Sequence, residues 1–165
     1  MTRLARLLIG VACAVSLAGC GAAGTPAPPS DLQIKADTYD IEQIEVTWHK
    51  ASSTKNVDLM MSVWADNATF TVGAKTYTGN DQIREFFATQ AGPFKPENTW
   101  VSETPAYKIR VTVDGDKGTL YFECHYVDVA TKQVKSVVGA DQAVARIGGK
   151  WLITNSVSAS PELAP

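Results

Sequence analysis

The sequence predicts an α+β fold in which helices cover one face of a curved, mostly antiparallel sheet. Two observations carry that expectation. Apolar residues recur at helical spacing in three segments before Gly92, and from Ala106 onward the chain runs through β-branched and aromatic stretches punctuated by glycine. Helices first and a long meander last is the segregated order of an α+β domain, not the alternation that builds a parallel sheet. No internal repeat is visible.

Each element has a local reason. Between Asp37 and Ala51 the residues Ile41, Ile44, Trp48 and Ala51 share one helical face, with Asp37 or Thr38 as cap. The polar break Ser52-Ser53-Thr54-Lys55 leads to Asn56, cap of a second short helix with Val57, Met60, Met61 and Trp64 on one side, ended by Ala65-Asp66-Asn67. Residues 69–72 and 75–78 read as a hairpin around Gly73-Ala74. Thr78-Gly79-Asn80-Asp81 opens a third helix carrying Ile83, Phe86 and Phe87, and it stops before Gly92-Pro93 because proline cannot continue the helical hydrogen-bond ladder. Strands are expected over 106–113, 119–129, 134–147 and 150–157, with turns at Asp114-Gly115-Asp116, near Thr131-Lys132 and at Gly148-Gly149.

The chain has 165 residues, 45% hydrophobic and 19% charged, which suits one domain with some unstructured margin. Its formal charge is −2, and loss of the first nineteen residues, with Arg3 and Arg6 and no acid, takes it to −4. No basic cluster is available to displace counterions from phosphates, so no nucleic-acid partner is expected. Arg3 and Arg6, the apolar run Leu7 to Leu17 and the small residues after it have the order of a secretory signal. The run falls short of the roughly 20 apolar residues of a membrane span.

Leu17-Ala18-Gly19-Cys20 resembles the lipobox of bacterial lipoproteins. That resemblance implies cleavage before Cys20, lipidation of its thiol with fatty acyl chains such as palmitate, and a protein exported and held on the extracytoplasmic side of the cell membrane. More than one acyl chain gives stable anchoring, where a single chain is marginal. Cys13 would leave with the leader and Cys124 would remain alone, so no disulfide forms within the monomer. The expected organisation is a signal peptide over 1–19, the lipidated cysteine and a flexible tether over 20–35, a domain over 36–160 and a tail over 161–165. The Gly/Ala/Pro-rich composition after Cys20 is that of a linker.

The order of motifs then points to a family. Trp48, Asn56-Val57-Asp58, Trp64-Ala65-Asp66-Asn67-Ala68-Thr69-Phe70, Gly79, Ile83-Arg84-Glu85-Phe86-Phe87 and Gly149-Lys150-Trp151-Leu152-Ile153 together resemble the nuclear-transport-factor-2-like superfamily, and within it the SnoaL-like and ketosteroid-isomerase-like domains. The resemblance implies a cone: a strongly bent sheet wrapped around three N-terminal helices, with a cavity between the first helix and the inner sheet face. It leaves activity open, because members include isomerases, dehydratases, cyclases and non-catalytic binding modules.

Ketosteroid-type isomerisation needs a carboxylate base, a tyrosine donor and a protonated acid. By the resemblance these positions fall on Val72, Trp48 and Ala143, none able to do that work. Strand alternation places Trp151, Ile153, Asn155 and Val157 on one face, so positions that hold histidine in SnoaL-like members carry Asn155 and Val157. Asp141 shares a face with Ala143 and Ala145, opposite Arg146; it either points inward, where burial would favour its protonated form, or sits at the rim. The expected pocket comprises Trp48, Trp64, Val72, Phe122, Tyr126, Asp141, Ala143 and Asn155, with Asp141 the sole candidate for catalysis. Leu120, Phe122, Cys124 and Tyr126 should meet the helices, leaving Tyr121, Glu123 and His125 for solvent or, as the resemblance implies, a dimer face. His49, about 100° round the helix from Trp48, is expected in solvent. With two histidines and a core-facing Cys124, no zinc set assembles and no cofactor is expected. Three readings follow: a lipid-anchored module binding a small apolar or amphipathic ligand, an extracytoplasmic isomerase, dehydratase or cyclase using Asp141, and a dimeric interaction module.

Overall fold

The computed structural model describes residues 29–103, 105–159 and 161. The leader, Cys20 and most of the C-terminal tail lie outside them. Helix α1 spans Asp31–Ser53 and starts six residues before the expected cap. Ser30 is the cap, its hydroxyl accepting from the Gln33 amide at 3.2 Å, and Asp31 in the first turn complements the helix dipole. Leu32 and Ile34 are exposed there, so this first stretch carries no buried stripe that periodicity could reveal. Residues 31–35, assigned to the tether from sequence, are helical.

Helix α2 is Val57–Met61, capped as expected by Asn56, which accepts from the Leu59 amide at 2.9 Å. It ends sooner than predicted. Trp64 opens strand β1, Trp64–Val72, because the backbone here is taken up by the sheet: Ile153 N–H donates to Val63 O at 2.8 Å and Trp64 pairs with Ile153. β1 forms the predicted hairpin with β2, Lys75–Thr78, around Gly73, whose φ of +59° fits the turn. Helix α3, Gly79–Thr89, stops before Pro93, and a 3₁₀ turn covers Gly92–Phe94.

Strands β4, Lys108–Asp114, β5, Lys117–Asp128, β6, Val134–Ile147, and β7, Lys150–Ala159, form the predicted meander. A short strand not expected from sequence, β3, Trp100–Ser102, pairs with the far end of β5. The sheet runs β2-β1-β7-β6-β5-β3, with β4 beside the first half of β5, and every described pairing is antiparallel except β1 with β7. α1 lies in the curve, touching β3, β4, β5 and β7, while α3 covers β1 and β2. Its buried arc is therefore wider than its apolar stripe: Ile41, Ile44, Trp48 and Ala51 are buried, and so are Asp37, Glu45, His49 and Ser52 beside them.

One bulge sets which side chains face inward. Ala143 pairs with Asn155 but its neighbour Val144 pairs with Ile153, leaving Thr154 as an extra residue on β7. Thr154 Oγ1 donates to Ala143 O at 3.1 Å across the bulge. A one-residue slip reverses every side chain beyond it. Trp151 and Ile153 point inward as predicted, whereas Asn155 and Val157 turn outward and Ser156 takes the buried position.

Candidate functional site

A hollow of about 160 Å³ opens where the N-terminal end of β6 and the C-terminal end of β7 meet the last turns of α1. Its walls hold six aromatic residues, Trp48 from α1, Phe70 from β1, Phe86 and Phe87 from α3, Phe94 from the 3₁₀ turn and Tyr126 from β5. Val72, Pro93, Val138 and Ala140 complete the apolar lining, with the Ser158 hydroxyl near the edge. The rings pack on one another in a herringbone. Phe70 and Phe87 are stacked, 5.5 Å between centroids at 13°, while Trp48 stands edge-on to Phe87 at 86° and Phe86 edge-on to Phe70 at 74°. Such pairs add about 0.5–1.5 kcal/mol each beyond area burial.

Among the described residues no carboxylate, imidazole, ammonium or guanidinium lines this hollow. The Tyr126 hydroxyl donates to Ser52 Oγ at 3.3 Å, and burial holds its phenol above the usual range. Cys124, beside it on β5, is fully buried and its thiol is pushed up to about 12 by burial, which makes it a small hydrophobe and not a nucleophile.

One wall is pinned by a lysine. Lys55 Nζ donates to the carbonyls of Pro93 at 3.3 Å, Lys95 at 2.7 Å and Asn98 at 2.5 Å, using all three of its protons on the loop that carries Pro93 and Phe94 into the hollow. Lys55 occupies the left-handed region, φ +56°, at the end of α1, where Asn56 N–H donates to Ala51 O and Lys55 N–H to Ser52 O. Glycine is the usual occupant of that position in this C-cap motif.

Three of the eight residues of the sequence-predicted pocket come together at the hollow. Trp48, Val72 and Tyr126 line the hollow. Trp64 and Phe122 lie one layer deeper, packed on Trp48 at 5.7 and 5.8 Å between centroids, and fill the base of the cone. Asp141, Ala143 and Asn155 lie on the opposite, outer sheet face. Asp141 is exposed there and pairs in register with Tyr121, and Asn155 accepts from Thr69 Oγ1 at 2.7 Å. The inward residues of β6 are Ala140, Gln142 and Val144, opposite Phe122, Leu120 and Gly118. Arg146 belongs to that inward set, although its charge argued for the outer face. Asp37 on α1 receives its guanidinium, and it lies over the Trp151 ring at 4.7 Å.

Two further expectations are corrected. His49 is buried, with Nδ1 against Glu45 Oε1 one turn back and its ring edge-on to Phe122 at 5.3 Å. Glu45 Oε1 also accepts the Ala106 amide at 2.7 Å. On the outer face Tyr121 and Glu123 are buried, not open to solvent: Glu123 accepts from the hydroxyls of Tyr107, at 2.9 Å, and Tyr121. His125 is half-buried, stacked on Tyr107 at 4.5 Å and 3.1 Å from a Glu103 oxygen. Burial and the Glu123 carboxylate push the Tyr107 phenol up to about 12. Among the described residues no group of three or more metal-ligating side chains forms, and no helix is long and apolar enough to cross a membrane.

The family model described as the SnoaL-like domain matches residues 35–157, most of the chain. This protein belongs to the SnoaL-like domain family. Solved structures share the fold of this SnoaL-like domain. An NTF2-like protein of unknown function from Pseudomonas putida superposes with a TM-score of 0.67 at 15% identity, covering 79% of this chain and 98% of its own. An NTF2-like protein with a cystatin-like fold from Novosphingobium aromaticivorans gives 0.68 at 15%, covering 81% and 87%. A protein proposed to be a dehydratase of the NTF2-like family from Streptomyces avermitilis gives 0.62 at 16%, covering 79% and 99%. At these identities the likeness is one of fold. No curated protein sequence matches the chain.

The SnoaL-like architecture also explains what sequence reasoning missed. Phe86 and Phe87 were placed on the right helix face, but Phe94, Val138 and Ala140 became lining only through long-range pairing. A signal for β6 was present: Trp151 inward, joined by the tight Gly148-Gly149 turn, forces Arg146 and Val144 inward opposite it.

Proposed function

We propose that this SnoaL-like domain is a lipid-anchored, extracytoplasmic module that binds a small uncharged apolar molecule without transforming it. The observation that carries this reading is an open aromatic hollow with no acid or base among the described residues that line it. Proton-transfer chemistry of the isomerase or dehydratase kind needs a carboxylate or imidazole within hydrogen-bond reach of the substrate. Asp141, the acid on which an enzymatic reading would rest, lies exposed on the other side of the sheet. Ligand sites are typically concave, mostly apolar and fixed by few polar groups, and a lining of apolar residues with Tyr126 and Ser158 among them fits that form.

Anchoring is supported by Arg3 and Arg6, the apolar run that follows and Leu17-Ala18-Gly19-Cys20. The hollow lies against Trp48, about 26 Å along α1 from Asp31. Native mass spectrometry of the full chain extracted from its host tests the binding. The expected spectrum shows a non-covalent neutral adduct on the wild type that Ala140→Leu lacks; a wild type free of adduct counts against it. Metabolic labelling with palmitate should mark the wild type and not Cys20→Ser, and persistent label on the variant would remove the anchor.

A further inference from the structure

Within that binding reading, on which the following rests, we infer that the hollow selects a single uncharged aromatic ring. Size gives the first limit. A dry hydrocarbon cavity of about 150 Å³ accommodates benzene, and drug-sized ligands occupy about 300–1,000 Å³. At about 160 Å³ the hollow encloses about one ring, and a fused polycycle would leave its further rings outside the mouth.

Charge gives the second limit. An ionised guest would lose its water to a wall of hydrocarbon, with no lining side chain of opposite sign to compensate. The herringbone of the wall gives the third. Phe70 and Phe87 lie parallel while Trp48 and Phe86 stand edge-on to them, so the hollow is lined by rings in two orientations. A guest ring continues this packing, its positive edge on a negative face. A saturated ring of the same shape fills the space without that electrostatic match, and a flexible chain also loses rotamer freedom on entry. The Tyr126 hydroxyl is committed to Ser52, which leaves Ser158 as the lining residue able to meet one polar substituent on the guest.

The test uses the full chain in lipid nanodiscs with methyl-labelled Val72, Val138 and Ala140, titrated at known free concentration with benzyl alcohol, cyclohexylmethanol and benzoate. Lining methyls report entry into the hollow and not partition into lipid. Benzyl alcohol should shift these methyls with a Kd at least about tenfold below that of cyclohexylmethanol, equivalent to about 1.4 kcal/mol, and benzoate should leave them unmoved. Ala140→Leu and Val72→Phe, which narrow the hollow from opposite walls, should each abolish the shifts. Equal or tighter binding of cyclohexylmethanol at the same methyls overturns the aromatic preference while the binding function stands. Silence of these methyls to all three compounds overturns both.

Discussion

Asp37 shows how one side chain can decide the facing of a whole strand. Burial by itself would raise its pKa, but hydrogen bonds from Arg146, Gln33 and Trp151 outweigh burial and hold it below the usual carboxylate range. The bond from Asp37 correspondingly raises Arg146. An arginine so received can take an inward position in the cone, so charge was a poor guide to parity on β6, where Arg146 faces in and Asp141 faces out. A carboxyl whose folded pKa is depressed contributes stability above its unfolded pKa and loses it as pH falls through the folded value. Asp37→Asn is therefore expected to destabilise the domain by roughly 2–3 kcal/mol at pH 7, less than the 3–5 of a fully buried pair because Arg146 is partly exposed. Urea unfolding from pH 7 downward should show the gap between wild type and variant closing below about pH 3.8. A gap constant with pH would mean that the bond is not ionic.

At the level of elements, predictions succeeded where short-range chemistry decides. The Asn56 cap, the Gly73 hairpin, the stop before Pro93 and the Gly148-Gly149 turn are local features and stand where expected. Errors arose where distant backbone intervenes: Val63 and Trp64 are claimed by β7, and the Thr154 bulge exists only as a mismatch between two strands. The loop after α3 is a further case, since its shape depends on a lysine some forty residues earlier. Lys55 tolerates a left-handed φ because its ammonium is saturated by three loop carbonyls. Lys55→Met should keep the backbone strain and lose the clasp, speeding hydrogen exchange at Phe94, Lys95 and Asn98 by about tenfold or more, the equivalent of one charged hydrogen bond. Lys55→Gly should show the same faster exchange with higher global stability than Lys55→Met, because glycine adopts this φ freely. Unaltered exchange in both variants would mean that the loop is held by other contacts.

The whole molecule is a cone whose base is solid and whose mouth is hollow. Phe87 sits at the junction, packed on Trp48, Trp64, Phe70, Phe86 and Phe94. Phe87→Ala is expected to cost about 3–5 kcal/mol in chemical denaturation and to enlarge the pocket, so that probes of two fused rings bind with both rings enclosed, where the wild type leaves one outside the mouth. Retained exclusion of the second ring in a folded variant would show that the cone collapses to fill the space.

By itself the sequence determined the α+β class and nearly every strand and turn, because these follow from periodicity, caps and glycine or proline placed within a few residues of one another, while the family was legible as a resemblance carried by the order of its motifs. Trp48 and Tyr126 at the hollow were legible as members of apolar faces written in spacing, and Val72 through the family resemblance. Tertiary structure decided the rest. How far the sheet curls determines that Glu45 and His49 are buried, and the register across β6 and β7 determines that Asp141 faces out and Ala140 faces in. Register is a relation between strands, set by a bulge and an ion pair to a helix more than a hundred residues away, and no window of sequence contains both partners.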